Sequence, residues 1–352
     1  MRIRGRGLEG GVTLRAAAVM VIAVLILSCG GSSSQPASST PTQIDSVKVI
    51  TGSGVALGQF YSMFFIGVDK GFYKQHGIDP TFIEGQGSGT SVQQIANGQA
   101  EFGVEIGAAA LIAAVARGAA VKMVAQDDPV APVSVLSVPP KLIKTPQDLI
   151  GKTIGVPPGT TQAQIFPAFL KANKLSAPQM NLVNSPLTGI QQALIQGRLD
   201  GYVSYAQSNI PILKSLGATG AYAMHFSDFG FKLSPDGGIV TTNDMIKTKP
   251  DLVRRFVAAI EESITYMLGH VDESCAAAAK LFPQAIKTDV CAQQTTLEAA
   301  NIKQTRAPNK PITFMSDKGW QEEIDALVTY GGIPKVGTPA DYYTNQFVPG
   351  PK

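Results

Sequence analysis

The sequence predicts an α/β protein of two similar lobes. Three observations carry that expectation: short β-type runs alternate with helical patterns, a helix–glycine–strand unit recurs, and the final part turns wholly helical. At 352 residues the chain is long enough for about two domains of ~150 residues each. Its 44% hydrophobic and 16% charged residues, with 36 glycines and 23 prolines, exclude disorder, coiled coil and collagen.

Strands are expected at 46–51, 81–84, 101–105, 121–126, 152–156, 180–184, 200–204 and 221–225, with helices between them at 60–70, 91–97, 108–117, 161–173, 186–196 and 210–216. Gly98, Gly118, Gly197 and Gly217 sit where helices should stop, and Ser185 before Pro186 reads as an N-cap with proline at the first helical position. This alternation implies mostly parallel sheets. Residues 96–104 lie over 195–203, sharing Gly-x-x-acid-x-x-Val, with a glutamine pair upstream of each copy: Gln93 and Gln94, then Gln191 and Gln192. At the same offset, the strand-to-glycine turn at 49–54 returns at 154–159.

One more strand follows at 238–242, then helices at 252–268, 272–281, 290–301 and 317–330, where Trp320 fits core packing. Helices with no strand of their own need an apolar face to cover, most simply the sheet of lobe one. Lobe one is then discontinuous: the chain crosses to lobe two near 133–138 and returns near 238–242, and the two crossover strands form a hinge.

The N-terminus reads as a targeting segment. Arg2, Arg4, Arg6 and Arg15 accompany an apolar run at 16–27 that spans only ~18 Å as a helix, short of a ~30 Å bilayer core. It is a signal h-region over 1–28. The run ends in Ile26-Leu27-Ser28-Cys29-Gly30, which resembles the lipobox of bacterial lipoproteins, where the cysteine is lipidated. Residues 29–44, rich in Ser, Gly, Pro and Thr, form a flexible tether. Without residues 1–28 the formal charge falls from +3 to zero, with 25 basic and 25 acidic residues, so no broad field favours nucleic acid. Cys275 and Cys291 then remain in an oxidising compartment, as a disulfide or as two buried thiols.

Catalytic signatures are lacking. His76, His225 and His270 have no metal-ligand spacing, and no Cys-x-x-Cys or His-Glu-x-x-His occurs, so neither metal nor cofactor is expected. The glycine-rich run at 85–90 has no following lysine, which argues against nucleotide hydrolysis; it is either a turn or a loop that meets a ligand. Clefts form at the carboxyl ends of parallel strands. Those ends and the helix starts after them are Gln59, Phe60, Ser88, Thr90, Glu105 and Ile106 in lobe one, and Thr160, Thr161, Gln162, Ser204 and Tyr205 in lobe two.

The repeat sets Glu105 opposite Ser204. Ser88, Thr90, Thr160 and Thr161 offer hydroxyls and amides suited to a carboxylate or sulfonate. No Arg or Lys occurs in these loops, and Asp127 and Asp128 lie close to the first crossover. A buried carboxylate needs a partner. An organic solute with a cationic or donor group facing Glu105 is therefore expected, with Phe60 or Tyr205 against its apolar part, and nitrate or sulfate fits poorly. Alternatively, Glu105 is solvated or bonded to backbone amides.

Taken in order, Gln59-Phe60-Tyr61, Asp69-Lys70-Gly71-Phe72-Tyr73, the glycine loop at 84–89, the repeat unit at 96–104, Gly151-Lys152-Thr153-Ile154-Gly155-Val156-Pro157-Pro158-Gly159-Thr160 and the second unit at 197–203 resemble the nitrate, sulfonate and taurine binding family of periplasmic solute-binding proteins, which includes binders of thiamine pyrimidine precursors. The resemblance runs over roughly 46–270. It implies a type II periplasmic-binding-protein fold, with lobe one at 45–135, lobe two at 136–236, and a return to lobe one at 237–352 whose C-terminal helices pack on it. It also implies a monomeric extracytoplasmic receptor, held to the membrane by its lipid alone, that delivers a small solute to the permease of an ABC importer. A ligand-sensing domain for a signalling partner would have the same structure. Relatives of this fold include a pyrimidine synthase that uses a cysteine cluster and a desulfinase that uses a nucleophilic cysteine, whereas here Cys29 lies in the tether and Cys275 and Cys291 in the trailing helices, away from the lobe tips. Where many relatives carry Trp or an acid after the strand at 200–204, this chain has Ser204-Tyr205-Ala206-Gln207-Ser208, so ligand identity does not carry over.

Overall fold

The computed structural model describes residues 44–350 except Ala131, Ser234, Gly332, Lys335 and Val336. The signal segment, Cys29 and nearly all of the tether therefore lie outside the described residues. In chain order the strands are β1 (Asp45–Thr51), β2 (Ile78–Ile83), β3 (Phe102–Val104), β4 (Val121–Asp128), β5 (Val133–Ser137), β6 (Thr153–Val156), β7 (Asn181–Asn184), β8 (Gly201–Tyr205), β9 (Tyr222–His225) and β10 (Gly237–Thr242). The helices are α1 (Ser62–Asp69), α2 (Phe72–Gln75), α3 (Ser88–Ala96), α4 (Ala108–Val115), α5 (Thr161–Ala172), α6 (Ile190–Ile195), α7 (Ala206–Ser215), α8 (Asn243–Thr248), α9 (Pro250–Met267), α10 (Val271–Leu281), α11 (Thr288–Thr305), α12 (Asp317–Thr329) and α13 (Pro339–Tyr342).

Two five-stranded sheets result, ordered β2-β1-β3-β10-β4 and β7-β6-β8-β5-β9. In each, three parallel strands are followed by one antiparallel strand that arrives from the other part of the chain: β10 in the first sheet, β5 in the second. The sequence repeat maps onto this equivalence as α3–β3 and α6–β8. Both copies turn through a left-handed glycine, Gly98 at φ 71° and Gly197 at φ 70°, a conformation a side chain would strain. The repeated acid has one job in both. Glu101 accepts from the Lys48 amide in the middle of β1 at 2.7 Å and Asp200 from the Thr153 amide at the start of β6 at 2.9 Å, each tying the repeat unit to the neighbouring strand.

Three local expectations change. Strands β5 and β10 each lie wholly within one sheet, so the crossings fall between Asp128 and Val133 and between Phe229 and Gly237 rather than at 133–138 and 238–242. All five residues of β5 are buried, and Ser134, Val135 and Leu136 are paired on both sides, which leaves it no freedom to span the lobes. Strand β2 starts at Ile78 despite Pro80, because it is an edge strand, where proline is tolerated. Helix 186–196 shrinks to α6, entered through Gly189 at φ 87°, so Ser185 and Pro186 do not cap it.

Helix α9 buries Leu252, Val253, Phe256, Val257, Ile260 and Ile264 at helical spacing against the first sheet, and Phe256 stacks on Phe102 with centroids 4.0 Å apart. Helices α11 and α12 reach further than lobe one. Trp320, Ile324 and Leu327 of α12 share a core with Leu111 of α4 and with Phe166 and Phe169 of α5, while Gln294 of α11 donates to the Ser208 carbonyl in the second lobe.

A disulfide joins Cys275 of α10 to Cys291 of α11 across 16 residues of sequence. Closing a loop of that length restricts the unfolded chain by ~3 kcal/mol. Cys275→Ser with Cys291→Ser should therefore lower the unfolding free energy by about that amount in denaturant titration, with the fold retained.

Candidate functional site

At the carboxyl ends of the parallel strands, the two lobes enclose a narrow cleft. Seven residues singled out in the sequence line it: Phe60, Ser88, Glu105, Thr160, Gln162, Ser204 and Tyr205. Strand β3 delivers Glu105, β8 delivers Ser204 and Tyr205, and the starts of α3 and α5 supply Ser88 and Gln162. The sides touch: the Gly89 amide of lobe one donates to the Gly159 carbonyl of lobe two at 2.9 Å.

Four expected residues do not line this cleft. Gln59 turns away to α11, where its Oε1 accepts from the Lys287 amide at 2.8 Å and its own amide donates to Gln294. Ile106 is fully buried and extends the ladder to Gly238 in both directions. Thr90 bonds its hydroxyl to the Gly87 carbonyl at 2.7 Å and faces Gly159 at the rim. Thr161 packs against Gly107 of the opposite lobe. Sequence reasoning passed over Ser53, Leu57, Tyr61, Leu187 and Asn209, which also line the cleft. The Tyr61 hydroxyl meets the Ser53 amide and hydroxyl, each at 2.9 Å. Nothing in local pattern marks such residues, because the cleft collects them from separate turns.

The hydroxyls differ in what they can still offer. Thr160 spends its hydroxyl as the cap of α5, donating to Pro157 and accepting from Ala163. Ser88 Oγ accepts from the Gly107 amide at 3.1 Å, and Ser204 Oγ accepts from Asn209 Nδ2 at 2.8 Å, so each keeps its proton to donate into the cleft. Asn209 is itself fixed by Tyr202 and Gln191. Glu105 is the one carboxylate among the lining residues, and no Arg, Lys or His joins it there.

Behind Glu105 the site is strongly acidic. Asp127 and Asp128 end β4, Asp236 precedes β10 and Glu298 projects from α11, and all are buried. Glu105 has φ 54° in the left-handed region, and its amide donates to Asp127 Oδ2 at 2.9 Å. The Tyr205 hydroxyl donates to Asp236 Oδ1 at 3.0 Å. Desolvation, with Asp127 adding to it, holds Glu105 well above the usual carboxylate range, and desolvation together with Glu298 does the same for Asp128. Burial raises Asp127 to about 6, Asp236 to about 7 and Glu298 to about 8, each opposed by a hydrogen bond.

The fold and this interlobe cleft are those of solved periplasmic binding proteins. The chain belongs to the NMT1/THI5-like family, whose profile matches residues 60–274, more than half of its length. A Brucella abortus (strain 2308) protein whose name describes a candidate binding protein is 24% identical over 294 residues, covering 80% of this chain and 86% of that one. Among solved structures, a Bordetella bronchiseptica RB50 protein superposes with TM-score 0.67 at 20% identity, covering 86% of this chain and 95% of its own. The alkanesulfonate-binding protein SsuA of Xanthomonas axonopodis pv. citri, bound to MOPS, does so with TM-score 0.65 at 14% identity over 86% and 99%. The periplasmic aliphatic sulphonate binding protein SsuA of Escherichia coli gives 0.59 at 14% identity over 83% and 94%. Among the described residues no helix is long and apolar enough to cross a membrane.

The raised carboxyls make stability depend on pH in an unusual direction. Asp127, Asp236 and Glu298 hold protons more tightly folded than unfolded, so their contribution is fully present below the unfolded value of ~4 and is lost as pH rises through about 6 to about 8. In buffer free of solute and divalent cations, the unfolding temperature should be several degrees higher at pH 5 than at pH 8. Glu298→Gln should flatten the upper part of that slope.

Proposed function

We propose that the chain is a lipid-anchored extracytoplasmic receptor, not an enzyme, that captures a small organic solute by closure of its lobes and delivers it to an ABC permease. Anchoring would be through Cys29, outside the described residues. The observation that carries the reading is the cleft itself: Glu105 is the one lining carboxylate, with no cation beside it, and the donor hydroxyls of Ser88 and Ser204 converge on the same space. A solute fitted to it presents a cationic or hydrogen-bond-donating group to Glu105 and a polar acceptor, such as a sulfonate or carboxylate, to the serines and the amides at the start of α3 and α5. Phe60 and Tyr205 cover its apolar part. Amino-sulfonates, amino-carboxylates and aminopyrimidines meet those demands, and a bare inorganic anion does not.

Closure has a steric signature. Gly107 has ordinary backbone angles of φ −62° and ψ 133°, so alanine suits it locally, yet a Cβ there would lie 1.9 Å from Thr161 Oγ1 of the other lobe. Gly107→Ala should fold normally and fail to close. In small-angle scattering, saturating solute should reduce the radius of gyration of the parent chain and leave that of Gly107→Ala unchanged; a parent profile that does not change at saturation would remove the closure mechanism.

Calorimetric titration of a panel of amino-sulfonates, aminopyrimidines and nitrate tests the solute class. The best organic solute should bind Glu105→Gln at least tenfold more weakly than the parent, which corresponds to ~1.4 kcal/mol. Equal affinity would sink the role of Glu105, and tight nitrate binding would sink the class.

A further inference from the structure

The acidic cluster behind Glu105 is built from residues far apart in the chain, and its oxygens follow one pattern. Asp127 Oδ2 is held by the Glu105 amide, Asp128 Oδ1 by Asn301 Nδ2 at 2.6 Å, Asp236 Oδ1 by the Tyr205 hydroxyl, and Glu298 Oε2 by Gln207 Nε2 at 3.3 Å. In each of these four carboxylates the second oxygen, Asp127 Oδ1, Asp128 Oδ2, Asp236 Oδ2 and Glu298 Oε1, is buried and takes no hydrogen bond from outside the cluster, and Glu105 Oε2 is in the same position. No Lys, Arg or His among the described residues forms an ion pair with any of the five. A carboxylate with one oxygen fixed by a donor and the other left bare is an oriented ligand, the arrangement that outer hydrogen bonds impose around metal ions.

The geometry closes on one point. Ligand oxygens of Glu105, Asp128 and Asp236 all lie within 4.8 Å of one another. Room beside them comes from Gly237: a Cβ there would sit 2.7 Å from both Glu105 Oε2 and Asp127 Oδ1, so the bare oxygen of Asp127, itself fully buried, points at the same place. Calcium binds six to eight oxygens at ~2.3–2.6 Å, so oxygens on opposite sides of it lie ~4.6–5.2 Å apart. Magnesium sheds its waters reluctantly and is usually held by one or two carboxylates, which suits a dehydrated multi-carboxylate cluster poorly.

We propose that Glu105, Asp128 and Asp236, backed by Asp127 and Glu298, form a calcium site at the hinge. Asp128 ends the last strand before the first crossing and Asp236 closes the second, so the ion ties both interlobe segments to the strand that carries Glu105. The ion neutralises part of the buried charge and leaves Glu105 ionised at the wall of the cleft. This site does not depend on which solute the cleft takes.

The test uses the full-length chain, treated with EDTA and dialysed, then titrated with calcium or magnesium. Binding is followed by unfolding temperature and by terbium luminescence under tyrosine excitation, with Tyr205 as the antenna on Asp236. Calcium should raise the unfolding temperature by several degrees, saturably, at concentrations up to about 5 mM, the range of weak extracellular sites. It should quench bound terbium luminescence by competition, with magnesium at least tenfold less effective. Asp236→Asn and Gly237→Ala should each weaken calcium at least tenfold; the second keeps every carboxylate and only fills the space. Ser204→Ala, altered in the cleft and away from the carboxylates, should bind calcium as the parent does while weakening solute. Absence of a calcium-dependent shift and of terbium luminescence in the parent would overturn the site, as would equal calcium affinity in the parent and both variants. Calcium binding without any solute binding would sustain this site and count against the receptor reading alone.

Discussion

A carboxylate taken out of water has to be supplied with a proton, a donor or a cation, and five of them meet where the two lobes join. Much of the surrounding structure answers that requirement. Tyr205 crosses from the cleft to Asp236, Asn301 reaches from α11 to Asp128, and Gln207 reaches from α7 to Glu298. Each of these bonds also joins parts of the chain distant in sequence. The burial of charge and the docking of the trailing helices onto both lobes are therefore one feature. A helix such as α11 could satisfy its apolar face on lobe one alone, yet Gln294 and Glu298 bring it to α7.

The repeat explains why the joint is there. Each sheet is three parallel strands, an antiparallel strand supplied by the other pass of the chain and a fifth strand beside it, β4 next to β10 and β9 next to β5, so the two crossings run side by side. Placing acids at the ends of β3 and β4 and just before β10 concentrates them at that junction. On the opposite side of the cleft, contact between lobes is made by glycines. Gly87 and Gly89 lie against the Gly159 carbonyl and Gly107 against Thr161, and any side chain at these points would hold the lobes apart.

The legible part of this structure is the part with local periodicity. The β–α alternation, the Gly98 and Gly197 units and the apolar stripe of α9 are patterns within a dozen residues, and they match the observed elements. Strand ends also pointed to Phe60, Ser88, Glu105, Ser204 and Tyr205, because a parallel strand always delivers its last residues to the same edge. Gln59, Ile106 and Thr161 show the limit of that rule. It places a residue at the edge but not the side chain's direction, and their neighbours, Gln294, Gly238 and Gly107, are fixed only by tertiary packing. The same limit hid the acidic cluster: its members lie at 105, 127, 128, 236 and 298, a spacing with no motif, and only the crossing of the chain unites them. The apparent helix start at Ser185 and Pro186 failed for a related reason, since the chain there bends toward the cleft, where Leu187 is a lining residue.

Glu105 is where the two halves of the argument join. A non-glycine residue at φ 54° is costly, and glycine would adopt that angle freely, so what recommends glutamate at this position is its side chain and not its backbone. The conformation is held from three sides: its amide by Asp127, its carbonyl by close packing over Gly52, and its carboxyl against Gly237. That clamp fixes one carboxylate between the acidic hinge and the solute cleft. A change in the charge carried behind Glu105 must then alter what the cleft accepts in front of it, because both act on the same two oxygens. On the proposed function, solute binding in the cleft and the calcium site behind it would be coupled through this single side chain. Substitutions at Glu105 or Asp128 would report on both, whereas a substitution at Ser204 acts on the cleft alone.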